Sequence, residues 1–235
     1  MLVSEEPCKV VNLSVVKTLY RYVDLGLMGT RNHNLLEKLK RNTKAHRIRK
    51  NKKKLGRSIE ERPKEVENRQ EFGHWEADLV VGQKSGNDQV LLTLVERKSR
   101  EYWMLPIKNC HADFVMEAFH VLQKTYSEHF NQVFKTITID NSSGFSRLSE
   151  LEELTETLVF YTHPYTSCEK GTNERHNGII RRFIPKGKRI SDFDVNYIAD
   201  IEVWCNSLPR KILNYRTPDE VFEDELDLIY RQTAS

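Results

Sequence analysis

The chain has 235 residues, 38% of them hydrophobic and 30% charged, with a formal net charge of +3. That is enough apolar material for one large domain or for a domain plus a small module, and no apolar run approaches the ~18 residues of a membrane span. No basic-then-apolar signal segment opens the chain. Cys8, Cys110, Cys168 and Cys205 are far apart and form no CxxC pair, which argues against structural zinc or a disulfide framework and for a reducing cytosol.

The informative charge is local. In residues 1–30, Ser14 can cap a helix with apolar positions Val15, Leu19, Tyr22 and Val23 at helical spacing, and Gly26 ends it. Its other face carries Lys17, Thr18, Tyr20 and Arg21. This reads either as an ordinary amphipathic helix or as the second helix of a helix-turn-helix whose front half is missing. Further on, Lys38, Lys40, Arg41, Lys44, Arg47, Arg49, Lys50, Lys52, Lys53 and Lys54 give ten cations in seventeen residues without an acid. So many like charges predict a flexible basic linker across residues 31–70, either simply solvated or in contact with a nucleic-acid backbone.

A main domain is predicted over residues 71–230. Trp75, Ala77, Leu79 and Val81 alternate, which makes residues 73–82 a strand with Glu76 and Asp78 on its other face. A second apolar strand follows at 89–97 and a third at 101–107, with residues 85–88 as the first hairpin turn. Residues 113–126 show helical spacing. A fourth strand at 135–139 delivers Asp140 and Asn141, which are ordinary turn chemistry or the carboxyl-end site of an α/β sheet. Then come a short helix at 148–154, a strand at 158–161 closed by His163-Pro164, and a helix after Cys168. Thr172 or Asn173 can cap that helix, with Glu174, Asn177 and Arg181 on one face and Ile179, Ile180 and Phe183 toward the core; Glu174 is itself either a capping carboxylate or part of a site. A helix at 193–204 and a short capped helix after Thr217 complete the packing, with Trp75 and Trp204 in the core. His176 is read as a DNA contact or a solvated helix residue. Three antiparallel strands, a helix, then alternating strands and helices are the order of a ribonuclease-H-like α/β domain, a mixed sheet flanked by helices.

In such a sheet Asp78, Asp140 and Glu174 converge at one edge. Three carboxylates together repel and take up protons unless divalent cations lie between them. Mg²⁺ suits hard oxygen ligands and phosphate, and two such ions support in-line displacement at phosphorus. Asp78, Asp140 and Glu174 are therefore candidate catalytic and metal-binding residues. Arg175, Arg181, Arg182, Lys186, Lys188 and Arg189 are either a solvated face or a basic stretch that holds phosphates nearby.

Residues 73–78 (GHWEAD), 94–100 (LVERKSR), Asp140-Asn141, 171–178 (GTNERHNG), 182–187 (RFIPKG), Trp204-Cys205-Asn206, 208–211 (LPRK) and 215–218 (YRTP) resemble the IS30 family of bacterial insertion-sequence transposases. The resemblance runs from about residue 11 to 230 and is most specific around Glu174. It implies an integrase-like catalytic core whose DDE triad matches Asp78, Asp140 and Glu174, with 33 residues between the last two. It also implies two Mg²⁺ ions (or Mn²⁺), terminal inverted repeats and target DNA as partners, strand cleavage followed by transfer, a homo-oligomer when active, and a bacterial, nucleoid-associated cytoplasmic location without membrane attachment. The DNA-binding residues are then Lys17, Arg21, the ten cations of residues 38–54, Arg181, Arg182, Lys186 and Lys188. The chain departs from the family where a glycine and a glutamate are usual. Ser142 and Gly144 stand there, which predicts a strained turn at Ser142 and a missing carboxylate at Gly144. The family also carries complete N-terminal helix-turn-helix units, so a truncated, weakly active transposase is expected. A DNA-binding remnant that represses its parent element, and a ribonuclease-H-like nuclease without strand transfer, are the alternatives.

Overall fold

The structure, a computed structural model, describes residues 21–29, 55–83, 88–163 and 171–233, with the backbone alone for Glu174 and Thr233. The chain divides into two compact units, Met1–Lys50 and Asn51–Ser235. In the first, residues 21–24 are helical and Gly26 takes φ +71°. The amide of Leu27 donates to the carbonyl of Tyr22 (2.9 Å) and that of Gly26 to Val23 (3.2 Å), the paired bonds of a Schellman cap. Glycine ends the helix because it reaches the left-handed region without a Cβ penalty. Arg21 is exposed. Lys17, the rest of the expected helix-turn-helix and the basic run 38–54 lie outside the described residues.

The second unit is built on a six-stranded sheet in the order β1-β6-β5-β2-β3-β4. The strands are β1 Arg57–Ser58, β2 His74–Val81, β3 Val90–Glu96, β4 Tyr102–Ile107, β5 Thr136–Ile139 and β6 Leu158–Tyr161. β2, β3 and β4 form an antiparallel meander, whereas β5 pairs parallel to β2, β6 parallel to β5 and β1 parallel to β6. From edge strand β4 the chain passes through α1 (Ala112–Tyr126) and α2 (Phe130–Val133) and returns on the far side of β2. This is the ribonuclease-H-like order expected from the sequence. Gly73 begins the central strand at φ +97°, and its carbonyl accepts from Lys135 N (2.8 Å) and Thr136 N (3.2 Å), tying β2 to the start of β5.

Alternation along the strands sorts side chains into two layers. On one face Trp75, Ala77, Leu92, Leu94, Ile137, Ile139 and Val159 pack against α1 and α2, α3 (Leu151–Leu154), and Phe222 and Leu226 of α6 (Pro218–Thr233). On the other, Val80, Leu91, Val95, Tyr102 and Met104 meet Ile180 and Ile184 of the α4 region (Gly171–Phe183) and Ile198, Ile201 and Cys205 of α5 (Val195–Asn206). Edge strand β4 is protected by α5. The Asn206 amide accepts from Tyr102 N (3.0 Å) and donates to Tyr102 O (2.9 Å), filling the place of a neighbouring strand.

Three expectations change. Residues 57–70 are not the tail of a linker but part of the sheet-bearing unit: β1 extends the sheet, two 3₁₀ turns follow, Val66 is buried, and Arg62 donates to Thr138 Oγ1 (3.0 Å). The last helix is sixteen residues long rather than short, because Phe222 and Leu226 reach the aromatic core. Trp204 is 40% exposed and touches only the rim of the core, edge-on to Phe183.

Candidate active site

β2 and β5 pair in parallel with His74 opposite Thr136, Trp75 opposite Ile137 and Glu76 opposite Thr138. Asp78 and Asp140 each follow the last of these pairs by two residues, so the same register extended by one period would place them opposite each other on neighbouring strands, which in sheets lie about 4.8 Å apart. Asp140 stands one residue past the end of β5, at the carboxyl end of a parallel pair. Both aspartates are half-buried.

The α4 helix crosses the same face in register with β2. Asn173 Nδ2 donates to the Glu76 carbonyl (3.0 Å), Asn177 Nδ2 to Asp78 Oδ2 (2.7 Å), and Arg181 Nη2 to the Val81 carbonyl (2.9 Å). The backbone of Glu174 lies between the first two of these bonds. The helix has weak intrinsic propensity, with Asn173, Asn177 and Gly178 in its middle. Side-chain bonds to the sheet replace that deficit. Thr93 Oγ1, at the centre of β3, lies within reach of Asn173 Oδ1 (3.2 Å) and Asn177 Oδ1 (3.3 Å), and Tyr102 Oη donates to Asn177 Oδ1 (3.0 Å).

Glu76 is not a free second carboxylate on this face. It is fully buried, pairs with Arg97 (2.6 Å) and accepts from the Asn173 amide (2.9 Å). Removing a charge from water is tolerated only with such partners. Asn173 therefore does not cap the helix, as expected from its position, but sits inside the first turn and bolts it to β2 and β3. The sequence placed Glu76 on the same strand face as Asp78; its partner Arg97, 21 residues on, could not be read from spacing.

His176 is a second correction. It is 2% exposed, neither a solvated helix residue nor a DNA contact. Nδ1 lies 2.8 Å from the Thr172 carbonyl, which can only accept, so Nδ1 carries the proton and Nε2 accepts from Arg210 (3.0 Å). Burial, with the nearby guanidinium groups of Arg210, Arg100 and Arg175, pulls its pKa down to about 4. His163 is partly exposed and pairs with Glu60 (3.3 Å). Arg182, Lys186 and Lys188 are exposed beyond the carboxylates.

Of the two departures next to Asp140, the strained turn expected at Ser142 is not present. Ser142 is extended (φ −96°, ψ 160°), so no positive φ strains it. A Cβ on Gly144 would lie 2.5 Å from Leu79 Cδ1 and 2.9 Å from the Cys110 carbonyl, leaving no room for a glutamate without movement of the backbone.

Asp140 Oδ1 is buried and has no hydrogen-bond partner among the described residues. An unpaired buried carboxylate oxygen is costly, and with Asp78 across the register it forms a pair of hard oxygen donors that fits Mg²⁺. Among the described residues no group of three His, Cys, Asp or Glu side chains assembles into a metal site. No helix of the described residues is long and apolar enough to cross a membrane.

No family model matches the chain. The probable transposase for insertion-like sequence element IS1161 of Streptococcus salivarius is 38% identical over 88% of this chain and 58% of its own length. Transposase InsI for insertion sequence element IS30C of Escherichia coli K12 is 32% identical over 72% of this chain and 42% of its own. The chain thus spans about half the length of these curated relatives. The catalytic core domain of BIV integrase superposes with a TM-score of 0.49 at 17% identity, covering 67% of this chain and 98% of that one. By its sequence similarity over most of its length, the chain belongs to the IS30-type insertion-sequence transposases.

Proposed function

We propose that the chain is a DNA transposase that cleaves and transfers DNA strands at the terminal inverted repeats of its element, with Asp78, Asp140 and Glu174 as a DDE triad. The observation that supports the reading is the parallel pairing of β2 and β5, which ends at Glu76 and Thr138, two residues before Asp78 and Asp140, with the backbone of Glu174 on α4 between two asparagines bonded to β2. Asp78, Asp140 and Glu174 would hold two Mg²⁺ ions, or Mn²⁺. The ions would activate the attacking oxygen and stabilise the leaving one. The chain's own residues do the positioning. Asn177 holds one oxygen of Asp78 in place, and the unpaired Asp140 oxygen is available to a cation without breaking a hydrogen bond to the described residues. Arg181, Arg182, Lys186 and Lys188 supply positive charge beside the carboxylates for the phosphates of the substrate. Lys17, Arg21 and the cations of residues 38–54 belong to a DNA-binding module of residues 1–30 and a basic segment that follows it. Target DNA is the second substrate, and the active form is a homo-oligomer because two element ends must be held together.

The test is metal-dependent nicking of a labelled duplex carrying the inverted repeat that flanks this reading frame, by the full chain and by its Asp140→Asn and Glu174→Gln variants. Cleavage with Mg²⁺ by the parent chain is expected to fall roughly a thousandfold in each variant, the scale of several kcal/mol of charge stabilisation. Binding without cleavage in all three overturns the enzymatic reading. Cleavage without joining to a target duplex leaves a nuclease.

A further inference from the structure

A groove of about 790 Å³ runs along the flank of α4 turned away from the carboxylates, between the α4 face of Thr172, Arg175, His176 and Ile179 and the segment Leu208–Ile212. Five cations line it: Arg69, Arg100, Arg175, Arg210 and Lys211. Among the described residues no acidic side chain joins them. Two of the five form its floor. Arg100 donates to Thr172 Oγ1 (3.1 Å), and Arg210 donates to His176 Nε2 and to the Cys205 carbonyl (both 3.0 Å) while its buried Nε has no partner among the described residues. The other three, Arg69, Arg175 and Lys211, are exposed, and their side chains make no hydrogen bond or ion pair among the described residues.

Such a cluster is unfavourable by itself. Burial and the positive charge of Arg69 bring the Arg100 guanidinium down to about 10, and burial with Arg175 lowers Arg210. Arg69 and Arg100 also hold left-handed backbone, φ +56° and +68°, a region that arginine seldom adopts and that is retained where the surroundings demand it. Repelling cations on constrained backbone form a site that an anion relieves. Between the cations, Ile179, Leu208 and Ile212 give the groove apolar walls, Ile212 being 67% exposed. A chain that alternates phosphate with deoxyribose offers that same alternation of negative charge and apolar surface.

We propose that this groove binds the phosphodiester backbone of a duplex DNA segment, as a second contact separate from the DNA engaged at Asp78 and Asp140. The inference rests on the nucleic-acid reading of the chain but not on its catalysis. It assigns Arg69, Arg175 and Lys211 as phosphate contacts and Arg100 and Arg210 as the residues that position the groove wall.

The test is equilibrium DNA binding by the full chain in EDTA, across a salt titration, with the triple variant Arg69→Gln/Arg175→Gln/Lys211→Gln. The control, Lys108→Gln/Lys124→Gln/Arg231→Gln, removes the same charge from exposed positions outside the groove. Each lost phosphate contact makes the dependence of log K on log salt shallower by about 1. The groove variant is expected to lose about three units of slope, to bind all duplex sequences more weakly to the same degree, and to keep the parent's thermal midpoint. The control is expected to keep most of the slope. Should the triple variant fail to fold, Arg175→Gln and Lys211→Gln singly are each expected to lose about one unit. A groove variant that binds with the parent's slope, or no more weakly than the control, overturns the proposal and leaves the groove to an acidic protein surface. Groove-dependent binding in a chain that never cleaves supports this inference and sinks the transposase reading. Full cleavage with groove-independent binding does the reverse.

Discussion

On the α1 side of the sheet, Trp75 stacks with Phe134 (4.9 Å between ring centroids) and packs with Trp103 (4.5 Å) and Phe222 (6.0 Å). On the α4 side of the same strand, two residues along the pleat, Glu76 and Asp78 face Arg97, Thr93, Asn173 and Asn177. One face is held by area and shape, which tolerate any sufficiently apolar neighbour. The other is held by directional bonds that have one correct arrangement. Aromatic burial keeps the unit folded, whereas the polar face fixes where α4 lies, and with it the backbone of Glu174, to within a hydrogen bond's tolerance. A catalytic constellation needs the second kind of support more than the first.

The comparison is broken most severely by Trp75→Ala. The substitution opens a cavity and leaves the Val133 carbonyl without its indole donor (2.7 Å), so a loss of about 3–5 kcal/mol is expected in urea unfolding. Removing one partner of the buried pair on the other face, as in Arg97→Met, strands Glu76 and is expected to cost about 3–5 kcal/mol. The double variant Glu76→Gln/Arg97→Met separates the two faces: its cost is expected to be well below the sum, since no uncompensated charge remains. An additive result would mean that the pair is not coupled. A smaller effect follows from Asn177→Ala, about 1–3 kcal/mol from the bonds to Asp78, Thr93 and Tyr102. Here metal-dependent cleavage is expected to fall further than DNA binding.

The smallest effect concerns pH. Burial raises Glu202 to about 7 and Glu101 to about 8, both near edge strand β4. The folded state then binds more protons than the unfolded one between the ordinary carboxylate range and those values. Stability is therefore lost as pH rises through about 7–8. His176, lowered to about 4, has the opposite sign: the unfolded chain binds the extra proton between about 4 and 6.5, and stability is lost as pH falls through that window. Glu202→Gln keeps an acceptor for the Met104 amide, so its melting temperature is expected to exceed the parent's at pH 8 and to match it near pH 4.5. Equal differences at both pH values would mean that Glu202 is not titrating.

The long, strongly patterned elements were legible in the sequence: β2, β3 and β4, α1, β5 with Asp140 at its end, and α4 with Asn177 and Arg181 on one face. Periodicity and turn chemistry are local properties, and these stretches satisfy them without help. The place of Asp140 was legible too, because a polar residue at the end of an apolar strand stands out. Other features depended on residues far apart in sequence. Glu76 and Arg97 are joined across β2 and the turn after β3. His176, which spacing left on an open helix face, is closed in by Tyr102 and Arg210. Gly144 has no room for a side chain because Leu79 and the Cys110 carbonyl meet it there. The groove of five cations gathers Arg69 and Arg100 with Arg175 and the adjacent Arg210 and Lys211, from four separate parts of the chain. A pattern along the chain records what each segment prefers. Which charges neutralise one another, and which are left facing a groove, is decided by burial and distance, and these exist only once the layers have packed.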